Sequence, residues 1–262
     1  IEFLIKKAQK VFEDEKALYQ FEAPVKIFGD IHGQYSDLLH MFKEMSDKNK
    51  QEQCDQIISK STRYLFMGDY VNRGKQSCEV ICLLFALKVD TQLDRYFEGN
   101  HESQAITRIY GFFDEIKRRY KITLWQAFWN CFNYMPLVAL IDEKIMCMHG
   151  GISKDMHSFG RLSRSPSQPM CLTAVLWQTS FGTTQMKMPA TGKKMKEAAI
   201  RVRQKVTRGV PQETRPRSNL QRSLSHGRWL WLLRKEQVAI TIFSAKNYCG
   251  DFDNDAAVMN VD

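Results

Sequence analysis

The chain has 262 residues, of which 44% are hydrophobic and 26% charged, and its formal net charge is +9. This length can bury a sizeable core and allows one large domain or two small ones. No apolar run approaches the roughly 18 residues of a membrane helix, and no signal-peptide pattern opens the chain. The composition therefore argues against a membrane protein, and we expect a soluble protein of the cytoplasm or nucleus.

The first part of the chain alternates predicted helices and strands. Residues 1–20 carry apolar side chains at helical spacing, which predicts an amphipathic helix leading into the first strand. The apolar run Val25–Phe28 predicts that strand, and Tyr35–Met45 is predicted as a helix. The polar residues 46–62 predict an exposed loop, after which a second strand starts near Arg63.

The later elements follow the same pattern. The pattern predicts a buried helix at 78–89, a third strand at 95–98 and two further helices at 104–119 and 123–133. It then predicts a hairpin of strands 136–141 and 144–148, followed by two C-terminal strands at 238–243 and 256–261. The spaced strand and helix signals favour a single α/β domain.

Each of the first three predicted strands runs into a turn that contains glycine and metal-binding residue types. The turns are G-D-I-H-G at 29–33, G-D-Y-V-N-R-G at 68–74 and G-N-H-E at 99–102. In an open α/β sheet such turns converge outside the carboxyl ends of the strands. Together they supply oxygen and nitrogen ligands for two metal ions, whereas one such turn alone is more often an ordinary turn, because Asp and His are common turn residues.

Two further residues fit this site, and each has a structural alternative. His149 ends the second hairpin strand before two glycines, which favours a metal ligand over a core histidine. Arg73 can bind a phosphate oxyanion with its planar guanidinium group, which is the favoured interpretation, or it can pair with a surface carboxylate. The mixture of carboxylate, imidazole and amide suits two divalent ions of Mn, Fe or Zn and does not choose among them.

The seven cysteines are an odd number without a C-x-x-C motif, and most lie in apolar runs. We therefore expect reduced, buried thiols and no disulfide framework. The metal ligands must then come from His, Asp and Asn.

The segment 183–228 differs in composition from the rest of the chain. It contains twelve Lys or Arg against two Glu, a net charge of +10, and it contains no Phe, Trp or Tyr. Such charge attracts nucleic acid non-specifically, but without aromatic stacking surfaces a nucleic-acid partner is not favoured. We predict that this segment is poorly ordered.

Six motifs, in order, make the chain resemble the phosphoprotein phosphatase family, most closely the type 1 serine/threonine protein phosphatases. They are G-D-I-H-G-Q-Y, G-D-Y-V-N-R-G, G-N-H-E, R-I-Y-G-F-F-D-E, H-G-G-I-S and S-A-K-N-Y-C-G-D-F-D-N. The resemblance implies an α/β metallophosphatase fold, a central β-sandwich flanked by helices. It also implies one catalytic domain over residues 1–262; since the chain opens at Ile1 without Met, we expect that domain to be truncated at both ends.

The resemblance further implies a dinuclear metal centre that hydrolyses phosphoserine and phosphothreonine with a metal-activated water. By similarity Asp30 and His32 hold the first metal, Asp69 bridges both, and Asn100 and His149 hold the second.

The remaining family roles concern the substrate. Arg73 and Asn100 carry charge on the phosphoryl oxygens, His101 protonates the leaving oxygen, and Tyr248 borders the substrate groove. The implied partners are phosphoprotein substrates and regulatory subunits.

One departure weakens the implied general acid. The family pattern has Asp at position 72, where its carboxylate orients and charges the histidine that corresponds to His101; here the residue is Asn72. By analogy with loss of the orienting carboxylate in a serine-protease triad, a rate penalty on the order of 10²–10⁴ follows. Impaired phosphatase and catalytically inactive phosphatase-fold binding module therefore remain as alternatives.

A second departure is the divergent basic region near 160–235. Here the family has a further phosphate-binding Arg and a third His for the second metal, for which Arg208 and His226 are the nearest candidates. The abrupt boundaries favour an out-of-frame or mis-spliced reading, with a genuine insertion as the alternative.

Overall fold

The computed structural model describes residues 1–16, 18–45, 63–91, 95–150, 230–233 and 237–262. The divergent region from 160 to 229, and with it the segment 183–228, lies outside these ranges. Within them the α-helices are α1 Glu2–Glu13, α2 Tyr35–Met45, α3 Ser77–Thr91, α4 Gln104–Ile109, α5 Phe112–Arg119 and α6 Ile122–Phe132. The strands are β1 Leu18–Phe21, β2 Val25–Phe28, β3 Arg63–Phe66, β4 Arg95–Tyr96, β5 Val138–Ile141, β6 Ile145–Met148, β7 Leu230–Leu233, β8 Gln237–Ile240 and β9 Val258–Val261.

Two mixed sheets form the centre of the fold. One has the order β4-β3-β2-β9, in which β2, β3 and β4 are parallel and β9 is antiparallel to β2. The other has the order β1-β5-β6, in which β1 is parallel and β6 antiparallel to β5. Strands β7 and β8 form a separate antiparallel pair.

The side-chain alternation of β2 divides the core into two layers. Ile27 belongs to a cluster that also contains Ala139 and Ile141, so it packs between the two sheets. Its neighbour Phe28 points the opposite way, into an aromatic core shared with the helices α1, α3 and α6. Successive strand residues face opposite sides, which is why one strand serves both layers. The architecture confirms the predicted α/β metallophosphatase fold with sheets flanked by helices.

The predicted helix over residues 1–20 is wrong in its second half. The helix ends at Glu13, and residues 18–21 form β1, which pairs with β5 in register from Leu18 opposite Val138. The apolar side chains at helical spacing stop at Phe12, and the following Leu-Tyr-Gln-Phe has β-forming residues that gain a pairing partner only in the folded chain.

The single helix predicted over 104–119 is two helices. They are separated at Tyr110 and Gly111, and Gly111 has a φ of +115°. The strand predicted over 238–243 ends at Ile240, although Phe243 still makes a parallel bridge to Asp30. The helix Tyr35–Met45, the strand from Arg63 and the hairpin around Asp142 are confirmed. The loop predicted over 46–62 lies outside the described residues.

The cysteines of the described ranges, Cys78, Cys82, Cys131, Cys147 and Cys249, are free thiols. Three of them are buried as expected, whereas Cys82 is half-buried and Cys249 is exposed. Among the helices that the structure describes, none has both the length and the apolar character needed to cross a membrane.

Candidate metal centre

The turns after β2 and β3 are joined directly through their backbones. The carbonyl of Asp69 accepts from the N–H groups of Ile31 and His32 at 3.0 and 2.9 Å, and the carbonyl of Tyr70 accepts from Gly33 at 2.8 Å. The carboxyl ends of these parallel strands lie at the same sheet edge, so their turns meet there. The predicted convergence of the D-x-H and G-D-Y turns is confirmed.

Glu102 fastens the third turn to the second. Its buried carboxylate accepts from the backbone N–H groups of Asp69 and Tyr70, both at 2.8 Å, and of Gly99 at 2.9 Å. Burial and then the negative charge of Asp69 raise the pKa of Glu102 to about 7. A Cβ on Gly99 would collide with Asp69 and with the Glu102 carboxylate, so only glycine fits there. Sequence reasoning missed the role of Glu102, although the residue stands in the G-N-H-E motif.

The first group of candidate ligands is Asp30, His32 and Asp69. His32 Nε2 lies 3.4 Å from Asp30 Oδ2 and 3.6 Å from Asp69 Oδ2. The other ring nitrogen, Nδ1, lies 3.3 Å from the carbonyl oxygen of Val71. A proton on Nδ1 donates to that carbonyl and leaves the Nε2 lone pair facing the carboxylates, which is the usual orientation of a metal-ligating histidine.

The second group is Asp69, Asn100 and His149. His149 Nε2 lies 3.3 Å from Asp69 Oδ1 and 3.0 Å from Asn100 Oδ1, and His149 Nδ1 lies 2.9 Å from the carbonyl oxygen of Met67. The Asn100 oxygen faces only acceptors; with the amide reversed, its nitrogen would donate to His149 and to both Asp69 oxygens. The orientation of the Asn100 amide with its oxygen toward Asp69 and His149 suits a bound cation. The reversed orientation, with its nitrogen toward them, suits the protein without a cation.

The negative charges of Asp30 and Asp69 favour protonated histidines or bound cations beside them. Burial alone lowers the pKa of His32 and of His149, but the Asp30 and Asp69 carboxylates outweigh it and raise both pKa values. Burial raises the pKa of Asp69, yet the charges of His149 and His32 hold that pKa below its usual range. Buried carboxylates need compensating positive charge, from protons on these histidines or from cations.

The donor set fits a pair of divalent ions. One cluster of potential ligand atoms joins Asp30, Asp69 and His149, and another joins His32, Asp69 and His101; in each the atoms lie within 4.8 Å of one another. These clusters divide the ligands differently from the sets implied by the sequence motifs, and the two agree in the shared position of Asp69. Asp69 belongs to both groups, as the residue predicted to bridge the two metals. The chemistry of carboxylate, imidazole and amide is that of hard or borderline divalent ions.

Asn72 is oriented by the backbone of α5. Its Oδ1 accepts from the N–H of Phe112 at 3.0 Å, so its amide nitrogen faces His101, 3.0 Å from Nδ1 and 3.2 Å from the backbone oxygen. The amide oxygen is thus not available to the imidazole, and His101 Nδ1 must accept while Nε2 carries the proton. Burial lowers the pKa of His101 to about 4 despite the opposing charge of Asp69.

Arg73 and Tyr248 lie beside the ligand groups. The Arg73 guanidinium lies 4.1 Å from the ring centroid of Tyr110, and the Arg73 N–H donates to the Tyr110 carbonyl at 3.0 Å. The Tyr248 ring lies 4.7 Å from the His32 ring, and its backbone N–H donates to Asn254 Oδ1 at 3.0 Å. Tyr110, which sequence reasoning did not single out, is therefore part of the site.

The turn with Tyr248 is tied to the first turn. Ser244 Oγ accepts from the Gly29 N–H at 2.9 Å, and the Ser244 N–H donates to the Asp30 carbonyl at 3.1 Å. The nine residues selected from the sequence thus lie in turns that are close together, although His149 follows a strand of the other sheet; their catalytic and ligand roles stay predictions. Arg208 and His226 lie outside the described residues.

Two layers of mixed sheet with Asp, His and Asn at the strand ends define a metallophosphoesterase. Residues 23–188 match the family model for calcineurin-like phosphoesterases, and the chain belongs to that family. Members of this family typically hold a dinuclear metal centre.

Two solved structures are similar to the chain. A protein serine/threonine phosphatase from Saccharomyces cerevisiae, described as similar to human phosphatase PP5, is 30% identical with a TM-score of 0.57, over 63% of this chain and 51% of that one. A cold-active protein-tyrosine phosphatase from a psychrophilic Shewanella is 17% identical with a TM-score of 0.42, over 56% of this chain and 47% of that one. The chain thus spans about half the length of each of these proteins.

Proposed function

We propose that the chain is a metal-dependent protein serine/threonine phosphatase that resembles the type 1 class. The observation that carries the proposal is that Asp69 belongs to both clusters of potential metal ligands, one with Asp30 and His149 and one with His32 and His101. The 30% identity to a serine/threonine phosphatase of Saccharomyces cerevisiae supports phosphoproteins as the substrate class.

The proposed metal ligands are those implied by the sequence motifs. Asp30 and His32 would hold the first ion, Asp69 both ions, and Asn100 and His149 the second. Two ions of Mn, Fe or Zn would supply Lewis-acid charge and a water of lowered pKa.

Arg73 is the proposed phosphate-binding residue. Its guanidinium is exposed, so the planar fork is free to bind two phosphoryl oxygens of a substrate. The ring of Tyr110 beneath it limits the orientations that the guanidinium can take. Tyr248, beside His32, borders the same groove and would contact the residues that flank the phosphorylated one.

His101 is the proposed donor of the proton that the leaving serine or threonine oxygen needs. The Asn72 amide favours the tautomer with its proton on Nε2. A neutral imidazole can donate this hydrogen bond, but it is a much weaker acid than an imidazolium. We therefore expect turnover to be slower than with an aspartate at position 72.

The test is release of phosphate by the purified, manganese-loaded protein. Phosphoserine and phosphothreonine peptides should be hydrolysed faster than a phosphotyrosine peptide or a phosphodiester. The His101→Ala variant is the control for chemistry at this site. Equal rates for the wild type and this variant would exclude the proposed enzyme.

A second candidate function is a phosphatase-fold module that binds metal and phosphoprotein without turnover. The orientation of the Asn72 amide toward His101 favours it, since the amide offers Nδ1 no acceptor, while burial lowers the pKa of this imidazole to about 4. Phosphopeptide binding by calorimetry, in a protein with no measurable phosphate release, would support this candidate. Recovery of activity in the Asn72→Asp variant would instead identify an impaired enzyme.

The proposed partners are phosphoprotein substrates and regulatory subunits, in the cytoplasm or nucleus. The chain spans about half the length of the yeast phosphatase, so these partners belong to the proposal for the whole protein.

A further inference from the structure

Two cysteines of α3 form a pair that the proposed chemistry does not use. Cys78 and Cys82 are four residues apart in one helix, so their side chains lie on the same face, with Cβ atoms about 5–6 Å apart. Both are free thiols; Cys78 is buried and Cys82 is half-buried. Solvent therefore reaches the pair through Cys82.

The two thiols interact with each other, and the interaction makes them unequal. The hydrogen bond from Cys78 lowers the pKa of Cys82, and it outweighs burial, which raises that pKa. The same hydrogen bond raises the pKa of Cys78. Cys82 is thus both the more accessible and the more readily ionised thiol, and the thiolate is the nucleophilic form.

The other described cysteines lack this arrangement. Cys131 on α6 and Cys147 on β6 are buried, and burial raises the pKa of each thiol. Cys249 is exposed and stands beside Tyr248. Among the cysteines that the structure describes, only Cys78 and Cys82 share a helix face.

The spacing of the pair favours a one-atom bridge over a disulfide. A disulfide requires Cβ atoms about 3.5–4.5 Å apart, which is closer than one helical turn allows. Closing it would pull on the first turn of α3, where the Glu115 carboxylate accepts from the N–H groups of Ser77 and Cys78 at 3.0 and 3.1 Å. An atom placed between the two sulfurs spans the gap without moving that turn.

We propose that Cys78 and Cys82 are a dithiol site for trivalent arsenic compounds. With an organic arsenoxide, two As–S bonds form and the As–O bond is lost. Both thiol protons leave with that oxygen as one water. Arsenic stays trivalent, so the step consumes neither oxidant nor reductant.

The probe is phenylarsine oxide added to the folded protein, and the readout is differential alkylation after the protein is unfolded in urea, so that burial alone does not protect Cys78. After treatment with the arsenoxide, N-ethylmaleimide blocks the unbridged thiols. A small dithiol then releases the arsenic, and iodoacetamide labels the released cysteines. Trypsin should yield both cysteines in one peptide, residues 76–88, because Lys75 and Lys88 flank them.

The expected wild-type result is iodoacetamide on both cysteines of this peptide, with protection that survives a monothiol in excess. In the Cys78→Ser and Cys82→Ser variants the remaining cysteine should carry N-ethylmaleimide, because a single As–S bond is exchanged by the monothiol. Cys131→Ser is the matched control and should keep the wild-type pattern. Cys78→Leu, which retains an apolar side chain, replaces Cys78→Ser if the latter fails to fold.

Two results would overturn the proposal. One is N-ethylmaleimide on both cysteines of the wild-type peptide. The other is continued protection of the remaining cysteine in both single variants. Neither readout requires metal or turnover, so the outcome is independent of the proposed phosphatase activity.

Discussion

The amide nitrogen of Asn72 lies 3.0 Å from Nδ1 of His101, with its donor side toward the imidazole. An aspartate at this position could still accept from the Phe112 N–H, and its other oxygen could accept a proton held on Nδ1. We therefore predict that Asn72→Asp increases phosphate release from a phosphoserine peptide by about 10²–10⁴-fold, the contribution typical of a well-positioned general acid. The measurement is steady-state turnover with manganese.

The double variant Asn72→Asp, His101→Ala is the control for this prediction. It should show no increase, because the added carboxylate acts through the imidazole. The new aspartate also loses the contact between the amide nitrogen and the His101 carbonyl. A gain in the double variant equal to that in the single one would contradict the proposed pathway.

Asp69 is predicted to control binding of both metal ions. It lies in both ligand groups, so Asp69→Asn removes one negative charge from each. Manganese affinity at each site should fall by more than the about 10–100-fold that loss of an outer-shell partner costs. Titration calorimetry measures it, and Asp114→Asn, at an exposed position of α5, is the matched control. Unchanged affinity in Asp69→Asn would exclude the bridging role.

The sequence predicted the site better than it predicted the element boundaries. Asp30, His32 and Asp69 follow strands whose ends meet in any parallel arrangement, so their convergence depends on strand order alone. The break between α4 and α5 depends on the positive φ of Gly111. The apolar periodicity of the sequence does not reveal this φ, because a single glycine is also compatible with a continuous helix. The orientation of the Asn72 amide depends on Phe112, 40 residues away, and such a contact exists only after folding.

Glu102 is predicted to stabilise the joined turns. Its two carboxylate oxygens accept from the backbone N–H groups of Asp69, Tyr70 and Gly99. In Glu102→Gln one oxygen becomes an NH₂ group that faces N–H donors, and each buried group left unsatisfied costs about 1–3 kcal/mol. Urea unfolding at pH 8, above the raised pKa of about 7, should show a free energy of unfolding lower by at least that amount.

The matched control for Glu102 is Glu79→Gln. Glu79 pairs with Arg119 at 2.5 Å, but both side chains are partly exposed. Exposed ion pairs of this kind contribute about 0–1 kcal/mol to the free energy of unfolding. Equal losses in the two variants would show that Glu102 has no special role in holding the turns.

Tyr110 is predicted to position Arg73 for phosphate binding. Tyr110→Leu removes the ring that lies 4.1 Å from the guanidinium but keeps the backbone carbonyl that accepts from the Arg73 N–H. A cation–π contact at an exposed site contributes about 0.5–1 kcal/mol, so the inhibition constant of inorganic phosphate should rise about two- to fivefold. Phe113→Leu is the matched control, since it removes a ring 5.5 Å from Arg108. A Tyr110→Leu variant with a wild-type inhibition constant, or a Phe113→Leu variant with the same rise, would show that the stacking does not orient Arg73.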